Sequence, residues 1–380
     1  MAGDYHLNSI ADLMNLEPAE DSGVTQPSTR QKEPLCVTQA ALPNGKHIRL
    51  VKTLLTSACE RNCYYCPFRA GRNFRRVTYK PEEMASTFSA MHRAGLAEGI
   101  FLSSGIIQGG IRSQDKLIET AELLRGKYQY QGYLHLKLMP GVDYDQVFRT
   151  MQLADRVSIN LESPDSHHLE KLAPGKNFLD ELMRPLRVVE QIRRSQPGYL
   201  GWNRHWPSST TQFVVGAAGE NDLDLLSTSE KLFDQFGLAR TYYSAFHPQP
   251  DTPLESLPPE SPLRQQRLYQ ASFLLREYNF AMEELLFDPD GFLPLDVDPK
   301  EAWARSNLSD SPIEINSAAP SELIRVPGLG PKGVKSILTA RKIGKLQTIE
   351  DLRKIGIRPN RAAAYILLNG ARPPRQMSLF

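Results

Sequence analysis

Ser57-Ala58-Cys59-Glu60-Arg61-Asn62-Cys63-Tyr64-Tyr65-Cys66 follows directly on an apolar run at 49–55 and holds three of the chain's four cysteines, spaced C-x3-C-x2-C. The fourth, Cys36, lies upstream. Four cysteines in 380 residues do not make a disulfide framework. Three in one short window read as a metal site in a reducing cytoplasm. Thiolates bind iron–sulfur clusters and zinc. Structural zinc takes four protein ligands, and Cys36 is a candidate fourth.

Outward from the triplet the pattern alternates. Short apolar runs occur at 49–55, 99–104, 133–139, 157–161, 212–215 and 240–245, with helical stretches at 81–94, 114–127, 143–153, 178–194 and 222–236. This predicts parallel strands joined by crossover helices. The triplet then sits at the C-terminal end of the first strand, where such folds bind ligands. Strand parity adds a second expectation. Leu134, Leu136 and Leu138 alternate with Tyr133, His135 and Lys137, and Val157, Ile159 and Leu161 alternate with Ser158, Asn160 and Glu162. A parallel strand covered on both sides is apolar on both sides. One polar face predicts a curved sheet with a hollow, polar interior: a partial (β/α)6 barrel with Lys137 on its active-site wall. A further helix is expected at 261–287 and a linker at 288–299.

Apolar residues make up 41% and charged residues 23%, ordinary values for a globular chain. No run of ~18 apolar residues exists to span a bilayer, and the first residues lack the basic and apolar regions of a secretory signal. The expectation is a cytoplasmic, nucleoid-associated protein with no membrane partner. The net charge of +2 hides an asymmetry. From Pro312 onward twelve Lys and Arg face four Asp and Glu, while the rest carries 33 against 39. A basic C-terminal module suggests a polyanion partner. The division expected is an acidic tail at 1–34, the barrel at 35–256, a helical extension and linker at 257–312, a helical module at 313–370 and an exposed tail at 371–380.

The triplet, with Tyr65 before its last cysteine, resembles the signature of the radical S-adenosylmethionine (SAM) superfamily. The resemblance implies that Cys59, Cys63 and Cys66 hold three irons of a 4Fe–4S cluster and leave the fourth for the amino and carboxylate groups of SAM. It implies reductive cleavage of SAM to a 5′-deoxyadenosyl radical, with an electron donor such as flavodoxin or ferredoxin. Tyr65 belongs to the same cofactor site. Ser103-Ser104-Gly105 stands where the family usually has Gly-Gly-Glu. Asn160 and Glu162 resemble ribose and methionine contacts, and Gln212 and Val215 the adenine platform.

Val326-Pro327-Gly328-Leu329-Gly330-Pro331-Lys332-Gly333-Val334 between two helical stretches resembles a helix-hairpin-helix. Gly328 and Gly330 permit a tight turn, and amides at the second helix's start can meet a DNA phosphate. Lys332 and Lys335 add cationic contacts. A degenerate partner lies at 355–361. Arg69, Arg72, Arg75 and Arg76, just beyond the triplet, are candidates for a DNA entrance. The span 35–369 is similar to the family of radical SAM proteins assigned to DNA modification or repair, which implies a partner carrying a uracil-DNA-glycosylase-like domain. Gln376-Met377-Ser378-Leu379-Phe380 resembles the motif with which bacterial repair proteins bind the DNA polymerase sliding clamp. Two other readings stay open: a radical SAM enzyme acting on tRNA, and a non-enzymatic iron–sulfur scaffold tethering a partner to DNA.

Overall fold

A computed structural model of the chain describes residues 37–41 and 47–374. The acidic N-terminal segment, Cys36 and the pentapeptide at 376–380 lie outside the described residues. The chain divides into two units, one running to Glu220 and including Lys231–Ser261, the other made of Asn221–Glu230 and Pro262 onward.

The first unit is built on a seven-stranded sheet with strands in sequence order, curled into a half-barrel. The strands are β1 (Val37–Ala41), β2 (His47–Leu54), β3 (Gly99–Ser103), β4 (Tyr133–Lys137), β5 (Arg156–Ser158), β6 (Ser208–Val215) and β7 (Arg240–Ala245). Strands β2 to β7 are parallel. The helices between them are α1 (Pro81–Arg93), α2 (Gly110–Arg125), α3 (Tyr144–Leu153), α4 (Ser166–Leu172), α5 (Arg184–Ser195) and α6 (Asp222–Phe236). Register puts Lys52, Phe101, His135 and Arg156 in one row. In the barrel's polar interior His135 Nε2 meets Ser158 Oγ at 2.8 Å, and Phe101 stacks on the His135 ring. The leucines of the opposite face, Leu134 and Leu136, are fully buried.

Several elements differ from the sequence expectation. Strand β1 is an added antiparallel edge on β2; Val-Thr-Gln-Ala-Ala carries too little apolar alternation to be read as a strand. The run at 157–161 is in the ladder only to Ser158; beyond it Thr211 Oγ1 donates to Ile159 O and accepts from Leu161 N, and Glu162, at φ 68°, rejoins β6 through a single bridge to Phe213. The stretch at 178–194 divides into a π-helical turn, Phe178–Met183, and α5.

The second unit holds α7 (Pro262–Glu277), α8 (Pro299–Asn307), β8 (Ile313–Glu314), α9 (Pro320–Leu323), α10 (Pro331–Ala340), α11 (Ile349–Lys354) and β9 (Ile366–Leu367), with β8 and β9 parallel. Helix α7 stops ten residues short of the expectation. The amides of Tyr278 and Phe280 both donate to Leu274 O, and Asn279 adopts φ 57°, a left-handed cap. The expected linker is packed structure. Leu293 is buried and its amide donates to Asp222, whose other oxygen accepts from Arg264. Ala304 and Leu308 share one core with Ile315, Leu323, Val326 and Ile337. The helical module therefore takes in α8, and a boundary at Pro312 would cut through its core.

Candidate functional site

The turn after β2 carries the three cysteines and is held from several sides. Ser57 N donates to Val77 O, Glu60 N to Ile106 O and Tyr64 N to Leu172 O. Glu60 accepts from the amides of Gln108 and Gly109, which ties the turn to the loop before α2. Arg76 lies underneath, donating to the carbonyls of Ser57, Phe68 and Arg69 at 2.8–3.0 Å. Arg72 donates to Pro67 O, and the Arg69 guanidinium lies 5.9 Å from the Tyr64 ring centroid. Arg72 and Arg76, expected at a DNA entrance, are thus committed to the backbone of the cysteine turn. A guanidinium satisfies several converging carbonyls where an ammonium cannot.

Cys59, Cys63 and Cys66 line a cavity of about 140 Å³ and form no disulfide. Backbone amides point at two of the sulfurs, Ile106 N at Cys59 Sγ and Phe68 N at Cys66 Sγ, each at 3.4 Å. Burial pushes the Cys63 and Cys66 thiols up, with neighbouring cysteines adding to it. Among the described residues no three His, Cys, Asp or Glu side chains stand close enough together to hold a single metal ion.

The structure brings most of the sequence-derived cofactor residues to this cavity. Tyr65, Ser103, Ser104 and Gly105 line it from the cysteine turn and the end of β3, and Lys137, Asn160, Glu162 and Gln212 from later strands. Lys137 Nζ sits 5.7 Å from the Phe101 ring centroid. Val215 does not line the cavity; it is fully buried, and its carbonyl accepts from Phe246 N. Asn160 Oδ1 is buried with no protein partner.

Glu162 is the electrostatic centre of the wall. Its carboxylate accepts from Tyr65 Oη at 2.6 Å and from Lys176 Nζ at 2.8 Å. Burial works to raise the Glu162 carboxyl, but Lys176 and Lys137 outweigh it and hold the group below the ordinary carboxylate range. Burial likewise works to lower Lys176, and Glu162 reverses it, so the ammonium stays charged. Burial and then the Glu162 charge drive the Tyr65 phenol far up, so it remains a donor. Lys176 and Arg61 escaped the sequence reading. Lys176 stands in Ala-Pro-Gly-Lys-Asn, which reads only as a turn. Arg61, between the first two cysteines, donates to Gly175 O and to Glu181 and so docks that turn on the cysteine turn.

In the second unit Gly328 takes φ 81°, and Gly330 caps α10. A Cβ on Gly328 would sit 3.3 Å from Arg361 Cβ, so the degenerate second hairpin packs against the first. Lys332 and Lys335 are exposed on α10. Lys300, on α8, donates to Leu329 O inside the turn at 2.5 Å, with its ammonium 4.6 Å from the Tyr278 ring centroid.

Residues 53–232 match the family model described as the radical SAM superfamily, and residues 309–361 that of the helix-hairpin-helix motif. Similar solved structures include methylornithine synthase (15% identity, 60% of this chain and 62% of that one, TM-score 0.47). Another is the FeFe-hydrogenase maturase HydG from Carboxydothermus hydrogenoformans (15%, 60% and 51%, 0.47). A third is a radical SAM methyltransferase from Sphaerobacter thermophilus (13%, 65% and 73%, 0.45). The chain spans about three fifths of the first of these and half of the second. Comparison with curated proteins gave no match. The chain thus carries a radical SAM domain, whose superfamily binds a 4Fe–4S cluster and SAM, followed by a helix-hairpin-helix motif.

Proposed function

We propose that this radical SAM domain serves an enzyme acting on DNA, repairing a lesion or modifying a base or sugar, with Cys59, Cys63 and Cys66 as the cluster ligands. The observation that carries the reading is the convergence of these three thiols on one cavity at the C-terminal ends of β2–β6. The donors suit a cluster: three sulfurs, two of them approached by backbone amides that tune such centres. Buried thiols disfavour a bare thiolate, and bound iron is the positive charge that overturns this. Cluster and SAM, when bound, supply a 5′-deoxyadenosyl radical that abstracts hydrogen. The chain's own residues do the rest. Arg76 and Glu60 fix the cysteine turn, Tyr65 and Lys176 fix Glu162, and the polar interior orients what enters.

DNA is the favoured polymer because α10 starts in a glycine turn with lysines exposed beside it. Proline at its first position leaves the next amides free to meet a phosphate. Such contacts anchor without reading sequence. A base stacked in a duplex cannot reach a radical in a barrel, so the target is flipped out or single-stranded. The partners fitting this reading are a flavodoxin or ferredoxin, a uracil-DNA-glycosylase-like protein and, through residues 376–380, the sliding clamp. Among the described residues no helix is long and apolar enough to cross a membrane.

Anaerobic reconstitution with iron and sulfide, followed by assay of 5′-deoxyadenosine with and without DNA, tests the proposal. Cluster-loaded protein should cleave SAM, and damaged or single-stranded DNA should stimulate it. A loaded protein that never cleaves SAM would leave the tethering scaffold, and stimulation by tRNA alone would leave the RNA reading.

A further inference from the structure

We infer that the outer face formed by α3, α5 and the loop at 196–207 binds single-stranded DNA, its rings stacking on unpaired bases and its arginines meeting the phosphates. The face lies wholly in the first unit, apart from the cysteine cavity. Only the choice of DNA as the polymer rests on the reading above. Residues 184–206 hold five arginines and one acid, Glu190, in a chain that is otherwise acidic before Pro312. Two of the chain's three tryptophans fall in the same stretch. Spacings of three and seven residues put Arg184, Arg187 and Arg194 on one face of α5, over about 15 Å of helix. All three are exposed. Arg187 has no carboxylate partner among the described residues, and Glu190 is shared between Arg193 and Arg194, so the face stays positive.

A run of rings lies beside these cations. Arg184 donates to Val142 O just before α3, which sets the two helices side by side. On α3 the rings of Tyr144 and Phe148, one turn apart, are within 11° of parallel with centroids 6.2 Å apart, and Trp206 continues the run 5.7 Å from Phe148. Tyr144 is exposed, Phe148 and Trp206 are half-buried, and Tyr199 in the loop is 63% exposed. The loop is braced. Trp206 Nε1 donates to Gln196 O at 3.1 Å, and the amides of Leu200, Gly201, Arg204 and His205 each bond back three residues. Asn203 and Arg204 take φ 52° and 64°, two successive non-glycine residues in the left-handed region. Strain held by its surroundings in this way clusters at ligand clamps.

Charge selects a polyanion, and the rings select its form. Bases in a duplex already stack on one another, whereas each base of a single strand has a free face for an aromatic ring. A positive track with rings alongside holds a single strand without reading its sequence. Asp143 and Asp145 stand at the start of α3, so phosphate contact concentrates on the loop end of the face. A target that is flipped out or single-stranded supplies such a strand.

The test uses the full-length protein and a labelled oligo(dT) of about 16 nucleotides, within the site size of single-strand-binding folds, read by anisotropy. Tyr199→Ala should weaken binding about 10-fold, the scale of one stacked base, and Tyr199→Phe should restore it. Arg187→Ala with Arg204→Asn, asparagine tolerating the left-handed backbone, should lower the slope of log affinity against log salt by about 0.7 for each phosphate released. Oligo(dT) should quench tryptophan fluorescence, and Trp206→Phe should remove most of the quench. Duplex affinity should follow Lys332→Ala with Lys335→Ala, and oligo(dT) affinity Tyr199→Ala. No binding of oligo(dT), an affinity unchanged in Tyr199→Ala, or a quench intact in Trp206→Phe would overturn the inference. Tighter binding of oligo(U) than of oligo(dT) would overturn the choice of DNA. A protein that binds oligo(dT) at this face and no duplex would instead defeat the hairpin reading and leave this site standing.

Discussion

Tyr65 and Glu162, 97 residues apart in sequence, are joined by a 2.6 Å hydrogen bond that ties the cysteine turn to the chain leaving β5. Tyr65→Phe removes that donor and leaves a buried carboxylate to its ion pair with Lys176. The expected loss is about 2 kcal/mol, the usual scale for a hydrogen bond to a charged group. Urea unfolding of the iron-free protein should show it as a lower midpoint with unchanged slope. An unaltered midpoint would mean that the bond carries no net stability.

Any one of Cys59→Ala, Cys63→Ala and Cys66→Ala should abolish iron retention and 5′-deoxyadenosine formation. Cys36→Ala should change neither. Iron and sulfide content per chain decides the matter, and loss of iron in Cys36→Ala would point to a four-thiol structural site.

Arg76→Lys separates a clasp from a DNA contact. The lysine keeps the charge but cannot serve the carbonyls of Ser57, Phe68 and Arg69 together. We expect poorer iron loading with unchanged DNA affinity, read by iron content and by anisotropy of a labelled duplex. Weaker DNA binding with full iron loading would return Arg76 to a DNA-facing role.

Lys332→Ala with Lys335→Ala should weaken binding to every sequence about equally and reduce the slope of log affinity against log salt by ~1 for each phosphate no longer neutralised. Point variants are preferable to truncation at Pro312, which would strip Ala304 and Leu308 of their core partners. An unchanged salt slope would remove the hairpin from the DNA interface.

Lys300 gives a pH signature. Burial, with Arg361 adding to it and Asp298 opposing, pulls its ammonium down to about 7. An unfolded lysine keeps its proton to about 10.4. Between these values the unfolded chain binds more protons, so stability rises with pH across that window; below it the burial penalty is complete. Hydrogen exchange at the α10 amides of the full chain should therefore become better protected, after correction for intrinsic rates, from about pH 7 to about pH 9. Lys300→Met should flatten the trend. Protection that falls with pH, or a slope that survives in the variant, would contradict the assignment.

The barrel's parallel strands were legible as short apolar runs and most of their crossovers by helical spacing, whereas β1 and α4 were not read. The polar interior was legible because His135, Lys137 and Ser158 fall out of phase with their leucines. What could not be read was tertiary. Nothing local to Lys176 marks it as buried, since its partner Glu162 comes from another element. Arg72 and Arg76 looked like part of a surface patch because a sequence shows their charge but not the carbonyls they donate to. Residues 288–299 looked like a linker because Asp and Pro are common in turns, while the anchoring bond, Leu293 to Asp222, spans 71 residues.

Gly105 has its amide on Thr56 O, and a Cβ there would collide with the Ala58 carbonyl and come within 3.0 Å of Thr56 O. The end of β3 and the approach to Cys59 therefore occupy each other's space. Neither stretch can drift alone over generations: a side chain at 105 is admissible only after residues 56–58 have withdrawn, and withdrawal displaces the first cysteine. The two are inherited as one character, and a search for variants that broaden the site would do better to change them jointly than in succession.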